Sequence, residues 1–154
     1  MKNNETNKWI VPKFITDQLG RFEWDICAPV NAPWSCAGRV ITSSENALEK
    51  DWNGRVFCFP PGSESYGWLK KCAAYKNSIA LVFAKTDTKV FQDVIFPNAR
   101  SLFFLKGRVK FHYHDGEQAD SSPFPSVLVA FDDANSRILE ECKLPGYFLA
   151  LKNS

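Results

Sequence analysis

Unbroken apolar runs constrain the fold of this chain more than any other feature of its sequence. They lie within the segments "RVFCF" (55–59), "SIALVFA" (78–84), "SLFFL" (101–105) and "PSVLVAF" (125–131). Short runs rich in valine, isoleucine and phenylalanine are typical of strands that are covered on both faces. Between the runs, Tyr66–Lys76 and Thr88–Phe96 carry apolar residues at helical spacing. This alternation predicts an α/β fold with a mainly parallel sheet.

Further strands are predicted on both sides of these runs. Phe22–Cys27 alternates and then ends in small residues, and "GRVKFHYH" (107–114) alternates apolar and polar side chains, which predicts one wet face. Strands that follow each other directly near the C-terminus predict antiparallel strands there, including "GYFLAL" (146–151). We expect Phe22–Cys27, Arg55–Phe59 and Ile79–Phe83 to be adjacent, parallel and buried.

The length and the absence of long apolar runs indicate the class of protein. A chain of 154 residues has the usual size of one domain, so residues 1–154 are predicted to fold as a single unit. No apolar run approaches the length of about 18 residues that a membrane span needs. The five cysteines include no C-x-x-C pair, and His112 and His114 alone are too few for a metal site. These features predict a cytoplasmic protein with reduced thiols and no metal.

The net charge of +2 hides two segments of opposite charge. Between residues 70 and 110, nine Lys and Arg stand against two Asp, a net charge of +7, and between residues 111 and 142, seven Asp and Glu stand against one Arg, a net charge of −6. The basic segment is suited to binding phosphates. Alternatively, the two segments are neighbours in the fold and neutralise each other. The candidate nucleic-acid-binding residues are Lys70, Lys71, Lys106, Arg108 and Lys110.

A double proline follows the strand predicted at 55–59. The stretch "RVFCFPPGSESYGWLKKC" (55–72) indicates a buried strand, a proline-containing loop and then a helix. In α/β sheets, ligands bind beyond the carboxyl ends of the strands. The segments "DICAP" (25–29) and "FPPGS" (59–63) follow two such ends, so both are candidate parts of a site.

Seven short motifs occur along the chain in one order, from Trp9 to about Phe131. They are "VP" (11–12), "FEWDICA", "ENALEKDW", "FPPGSESYGW", "DTKVF", "GRVKF" and "PFPS". In this order they resemble the small phage-type family of adenine-specific DNA methyltransferases, the Dam-like phage family. The resemblance implies a Rossmann-like, S-adenosylmethionine-dependent methyltransferase fold. It also implies S-adenosylmethionine as the cofactor and DNA as a partner.

The resemblance implies which residues contact the cofactor. Asp25 and Ala28 match the end of the family's first strand, where an acidic residue holds S-adenosylmethionine. Asn46 falls on a position at which the family has an aspartate. That departure weakens the implied cofactor site, because an amide carries no charge to attract the cofactor's amino group.

The largest departures from the family fall on the catalytic loop. In the family, an adenine is flipped out of the duplex, an Asn or Asp before the double proline accepts a hydrogen bond from its amine, and an aromatic ring after the prolines stacks on it. Here Phe59 replaces the acceptor and Gly62 replaces the ring. Pro60 and Pro61 are retained. Tyr66 is the nearest ring that can stand in for the missing aromatic.

Two functions from different classes follow from this pattern. The first is a catalytically impaired family member that is retained as a binding protein, with DNA or a host defence protein as its partner. The second is an active S-adenosylmethionine-dependent DNA adenine methyltransferase with an unusual loop, in which Tyr66 supplies the ring and Ser63 or Glu64 supplies the acceptor. Since Phe59 has no acceptor atom, we favour the first.

Overall fold

A seven-stranded mixed sheet forms the centre of the computed structural model, which describes residues 9–29, 31–42 and 45–153. Its strand order is β2-β1-β3-β4-β8-β5-β9. In chain order these strands are β1 (Phe22–Ala28), β2 (Ala37–Thr42), β3 (Val56–Cys58), β4 (Ser78–Phe83), β5 (Ser101–Leu105), β8 (Ser126–Ala130) and β9 (Gly146–Ala150).

Five of the seven strands run in one direction. β1 pairs in parallel with β2 and β3, and β3 pairs in parallel with β4. β8 is antiparallel to both β4 and β5, and β9 is antiparallel to β5. The prediction that the strands at 22–27, 55–59 and 79–83 are adjacent and parallel is therefore confirmed. β3 and β4 are buried almost throughout, but β1 is only partly so, because it lies next to the edge strand β2.

Helical segments cover both faces of the sheet. On one face lie α2 (Ser65–Tyr75), a π-helical segment (Val90–Ile95) and α3 (Phe96–Asn98). On the other face lie α1 (Lys13–Asp17) and α4 (Asp133–Glu141), which pack through Ile15, Leu19 and Leu139. Within the described ranges, no helix has the length and apolarity needed to cross a membrane.

Two elements near the C-terminus differ from the sequence predictions. The strand predicted at 107–114 is the short β6 (Lys110–His112), which pairs with β7 (Gln118–Ser121) in a separate two-stranded sheet. The helix α4 was not predicted, and the acidic residues at 132–133 and 140–141 lie at its two ends. Asp132 caps this helix, since its Oδ1 accepts a hydrogen bond from the Asn135 N–H at 2.9 Å.

Candidate functional site

The loops predicted to form a site meet at one edge of the sheet. β1, β2, β3, β4 and β5 all end there, and we call it the carboxyl edge. Ile26 of β1 is directly opposite Cys58 of β3, so the segments that follow these two strands are neighbours. Asp25, Ala28 and Phe59 accordingly line one shared cavity. The cofactor-side and catalytic-loop segments are thus brought together as the sequence predicted.

This cofactor-side cavity is very small. Its volume is about 30 Å³, close to the space of a single water molecule. Small-molecule sites usually measure about 300–1,000 Å³. Trp34, in the loop after β1, also lines this cavity. Its Nε1 donates a hydrogen bond to the Val11 carbonyl at 2.9 Å. Its ring meets the His112 ring edge-on, with the ring centroids 4.9 Å apart. The residues that line the cavity therefore leave no room for a nucleoside-sized cofactor.

Asp25 is the acidic group in this cavity. Burial raises the pKa of its carboxyl group to about 7, although a hydrogen bond from the Cys36 thiol, with Sγ 3.8 Å from Oδ2, acts in the opposite direction. Burial and the nearby carboxylate also raise the pKa of Cys36, so that thiol stays protonated. Near neutral pH the cavity consequently offers a half-protonated carboxyl group rather than a firm negative charge.

Asn46 lies apart from the other two cofactor-binding candidates. It is exposed, has a left-handed backbone with φ of 51°, and begins the 3₁₀ turn Ala47–Glu49. It does not line the cavity that contains Asp25 and Ala28. Of the three candidates, the structure therefore brings two together and leaves Asn46 outside.

The raised pKa of Asp25 predicts a pH-dependent stability that asparagine removes. Because the folded pKa lies above the ordinary 3.8, protonation of Asp25 stabilises the fold, and this stabilisation is lost as pH rises through about 7. Asp25→Asn should raise the free energy of unfolding over wild type by about 2–4 kcal/mol at pH 8 and by little at pH 4. Urea unfolding at both pH values measures this, with exposed Asp51→Asn as control. A gain that does not change with pH would contradict the assignment.

Phe59 belongs to a stack of three aromatic rings. Its ring lies parallel to that of Phe111, with centroids 4.9 Å apart and planes inclined by 6°. Phe111 is fully buried and stacks in turn on Trp9, with centroids 5.2 Å apart. The Phe59 side chain therefore packs on the hydrophobic core of the face that α1 and α4 cover.

A larger cleft lies on the other side of Phe59. It measures about 440 Å³, and its lining includes Pro60, Gly62, Ser63 and Tyr66 of the catalytic-loop segment. Pro61 and Glu64 are not part of the lining. Phe59 lines both cavities, so the cleft and the small cavity are neighbours.

Two lysines complete the cleft. Lys85 follows β4, and Lys89 precedes the π-helical segment with its Nζ 5.8 Å from the centroid of the Tyr66 ring. Sequence reasoning did not single out either lysine as part of the site. The sequence signal for these two lysines was their position shortly after β4, a strand that ends at the carboxyl edge.

The five nucleic-acid-binding candidates divide between the two faces of the sheet. Lys70 and Lys71 lie on α2, and Lys71 Nζ donates hydrogen bonds to the carbonyls of residues 47, 48 and 50. These bonds occupy all three donors of the ammonium group, so Lys71 supports a turn rather than facing a phosphate. Lys106, Arg108 and Lys110 instead line one groove of about 240 Å³ together with Phe14.

Comparison with known protein families identifies the family of this chain. A model of the DNA N-6-adenine-methyltransferase (Dam) family matches residues 1–143. The chain belongs to the Dam family. No curated protein and no solved structure gives a significant match. The sequence-based resemblance is confirmed, and β9 lies outside the residues that the Dam model matches.

The Dam family uses S-adenosylmethionine, and the fit of this cofactor can be judged from the residues present. Asp25 and Ala28 occupy the expected strand end, but the cavity there, which Trp34 and Phe59 also line, holds only about 30 Å³. The residues therefore do not fit the cofactor in this conformation. The mixed sheet itself is consistent with a methyltransferase-like fold.

In this Dam-family chain, His112 contacts a backbone carbonyl and the cysteines form no disulfide. His112 Nδ1 lies 2.9 Å from the Gly116 carbonyl. All five cysteines are free thiols. Among the residues that the structure describes, no three His, Cys, Asp or Glu side chains are arranged to hold a metal ion.

Proposed function

We propose that this Dam-family protein binds DNA at the carboxyl edge of its sheet and methylates adenine at most weakly. The observation that carries the proposal is the Phe59 ring, which stacks on Phe111 with centroids 4.9 Å apart at a residue that lines both cavities. A DNA-binding role places the protein in the cytoplasm, which is that of the host cell if a phage encodes it.

The chemistry of methyl transfer explains why Phe59 matters. The attacking amine of adenine needs a polar acceptor that orients it and stabilises its developing charge, and phenylalanine has none. Loss of one such group costs about 10²–10³ in rate. Gly62 also lacks a ring, and stacking on one base is worth about 1–3 kcal/mol. The two departures act on the same base, so together they leave little catalysis.

Cations at the carboxyl edge support DNA as the partner. Lys85 and Lys89 line the cleft, while Lys106, Arg108 and Lys110 line the groove on the opposite face. Family membership points the same way, because DNA is the substrate of Dam methyltransferases. Five cations at one edge are enough to follow a short stretch of phosphate backbone.

An active enzyme with an unusual loop is the second candidate, and a specific observation favours it. Tyr66 and Ser63 both line the 440 Å³ cleft beside Phe59 and Pro60. Tyr66 therefore has a ring in reach of a base in the cleft, and Ser63 has a hydroxyl there. Glu64, the third substitute considered, does not line the cleft.

Two measurements test the proposal on the intact protein. Titration calorimetry with S-adenosylmethionine should show no binding at micromolar concentrations. Transfer of a tritiated methyl group to duplex DNA should give a kcat below about 0.01 s⁻¹, against about 1–10³ s⁻¹ for ordinary enzymes. Turnover in that ordinary range would establish the second candidate instead. Absence of both methylation and DNA binding would overturn both candidates and leave a protein partner, such as a host defence protein.

A further inference from the structure

Exposed aromatic rings and lysines alternate along the carboxyl edge. Tyr66 is 41% exposed and lies near Lys89, and Phe124 is 38% exposed with Lys85 Nζ 3.9 Å from its ring centroid. Phe14 is 57% exposed and shares the 240 Å³ groove with three cations. We call the rings Tyr66, Phe124 and Phe14, together with Lys85, Lys89, Lys106 and Lys110, the aromatic belt.

The topology makes this belt continuous. Phe124 immediately precedes the segment that enters β8, whose first residues lie at the carboxyl edge because β8 is antiparallel to β4. The Ala84 N–H donates a hydrogen bond to the Pro125 carbonyl at 2.8 Å, which fixes the loop of Phe124 beside the end of β4. Phe124 therefore lies next to the lysines that follow β4 and line the cleft.

A second set of contacts joins Phe124 to the groove on the other face. Arg108 Nη1 donates a hydrogen bond to the Pro123 carbonyl at 2.6 Å. Within the same loop, the Ser122 hydroxyl donates to the Phe124 carbonyl at 3.0 Å. Phe124 is thus held between the cleft that contains Tyr66 and the groove that contains Phe14.

We propose that the aromatic belt binds single-stranded DNA in preference to duplex DNA. In a duplex the faces of the bases are already stacked, so exposed protein rings gain nothing from them. In a single strand each base face is free to stack on a ring while lysines neutralise the phosphates. The lysine heads that now lie over Phe124 and Tyr66 are mobile enough to move to a phosphate when a base takes their place. This inference rests on the proposed DNA-binding function.

Fluorescence anisotropy with a labelled 12-nucleotide oligo(dT) strand and a labelled 12-base-pair duplex tests the preference. Wild type should bind the single strand at least tenfold more tightly. Phe124→Leu and Tyr66→Leu should each weaken single-strand binding by about 5- to 150-fold and weaken duplex binding by a smaller factor. Phe124→Tyr keeps a ring and should restore binding. Four belt lysines predict a slope of about −3 for log affinity against log salt concentration.

Two variants away from the belt serve as matched controls. Leu149→Ala removes an apolar side chain that is 39% exposed, close to the 38% of Phe124, and pairs with Leu102 near the start of β5, away from the carboxyl edge. Lys76→Ala removes an exposed lysine that precedes β4, at the opposite edge of the sheet. Neither should change single-strand binding, and thermal melting confirms that every variant is folded.

The outcomes separate this inference from the proposed function. If wild type binds the duplex as tightly as the single strand or more tightly, the inference about the aromatic belt is wrong and the proposed DNA binding still stands. The same holds if the leucine variants bind the single strand as tightly as wild type. An equal loss in Leu149→Ala would also overturn the inference. Absence of binding to either DNA at low salt would overturn both proposals together.

Discussion

The double variant Phe59→Asn with Gly62→Tyr is expected to methylate adenine in duplex DNA at least 100-fold faster than wild type. Asparagine supplies the missing acceptor, and losing one oriented polar group of this kind typically costs about 10²–10³ in rate. Removal of the Phe59 ring also enlarges the space at the small cavity and the 440 Å³ cleft, because Phe59 lines both. Tritiated methyl transfer and calorimetric titration with S-adenosylmethionine measure the two gains separately.

The matched control is Phe59→Leu with Gly62→Tyr, which removes the stacked ring and adds the tyrosine but supplies no acceptor. It should transfer methyl groups about 10²–10³ times more slowly than the asparagine variant, because the two differ only in the acceptor. If the asparagine variant binds S-adenosylmethionine yet transfers no faster than this control, the missing acceptor is not what limits catalysis. If it still fails to bind the cofactor, the block lies in the loop that carries Trp34.

Phe111→Ala is expected to lower the free energy of unfolding by about 3–5 kcal/mol. Phe111 is fully buried and contacts the rings of Trp9, Phe59 and Phe83, so the substitution leaves a cavity and removes three ring contacts. Guanidinium unfolding monitored by circular dichroism measures the loss. Phe14→Ala, at a ring that is 57% exposed, is the control and should cost less than about 0.5 kcal/mol. A loss of similar size in both variants would contradict the structural role of the three-ring stack.

The strands that position the site were predictable because their own residues determine them. β3 and β4 are apolar at nearly every position, and that pattern is compatible only with burial on both faces. α4 was missed because its first and last turns are charged and only Asn135 and Leu139 are fully buried along it. The capping aspartate at 132 was the one local signal for that helix.

The role of a side chain at the site depends on partners that are distant in sequence. Phe59 was recognisable as a residue without an acceptor, but its stacking on Phe111 is a tertiary contact between β3 and β6. Lys71 was predicted to bind DNA because of its charge. In the structure its ammonium group donates its hydrogen bonds to carbonyls of the turn at 47–50. The charge and polarity of a side chain can be read from the sequence, whereas its freedom to contact a ligand depends on the fold.

The three-ring stack ties residue 59 to the stability of the fold as well as to the proposed loss of catalysis. The Phe59 ring packs on Phe111, which stacks in turn on Trp9, in the hydrophobic core. Under the proposed function, an asparagine at this position would restore an acceptor for methyl transfer but would give up this packing. Selection for stability and selection for activity would then act in opposite directions on this one residue.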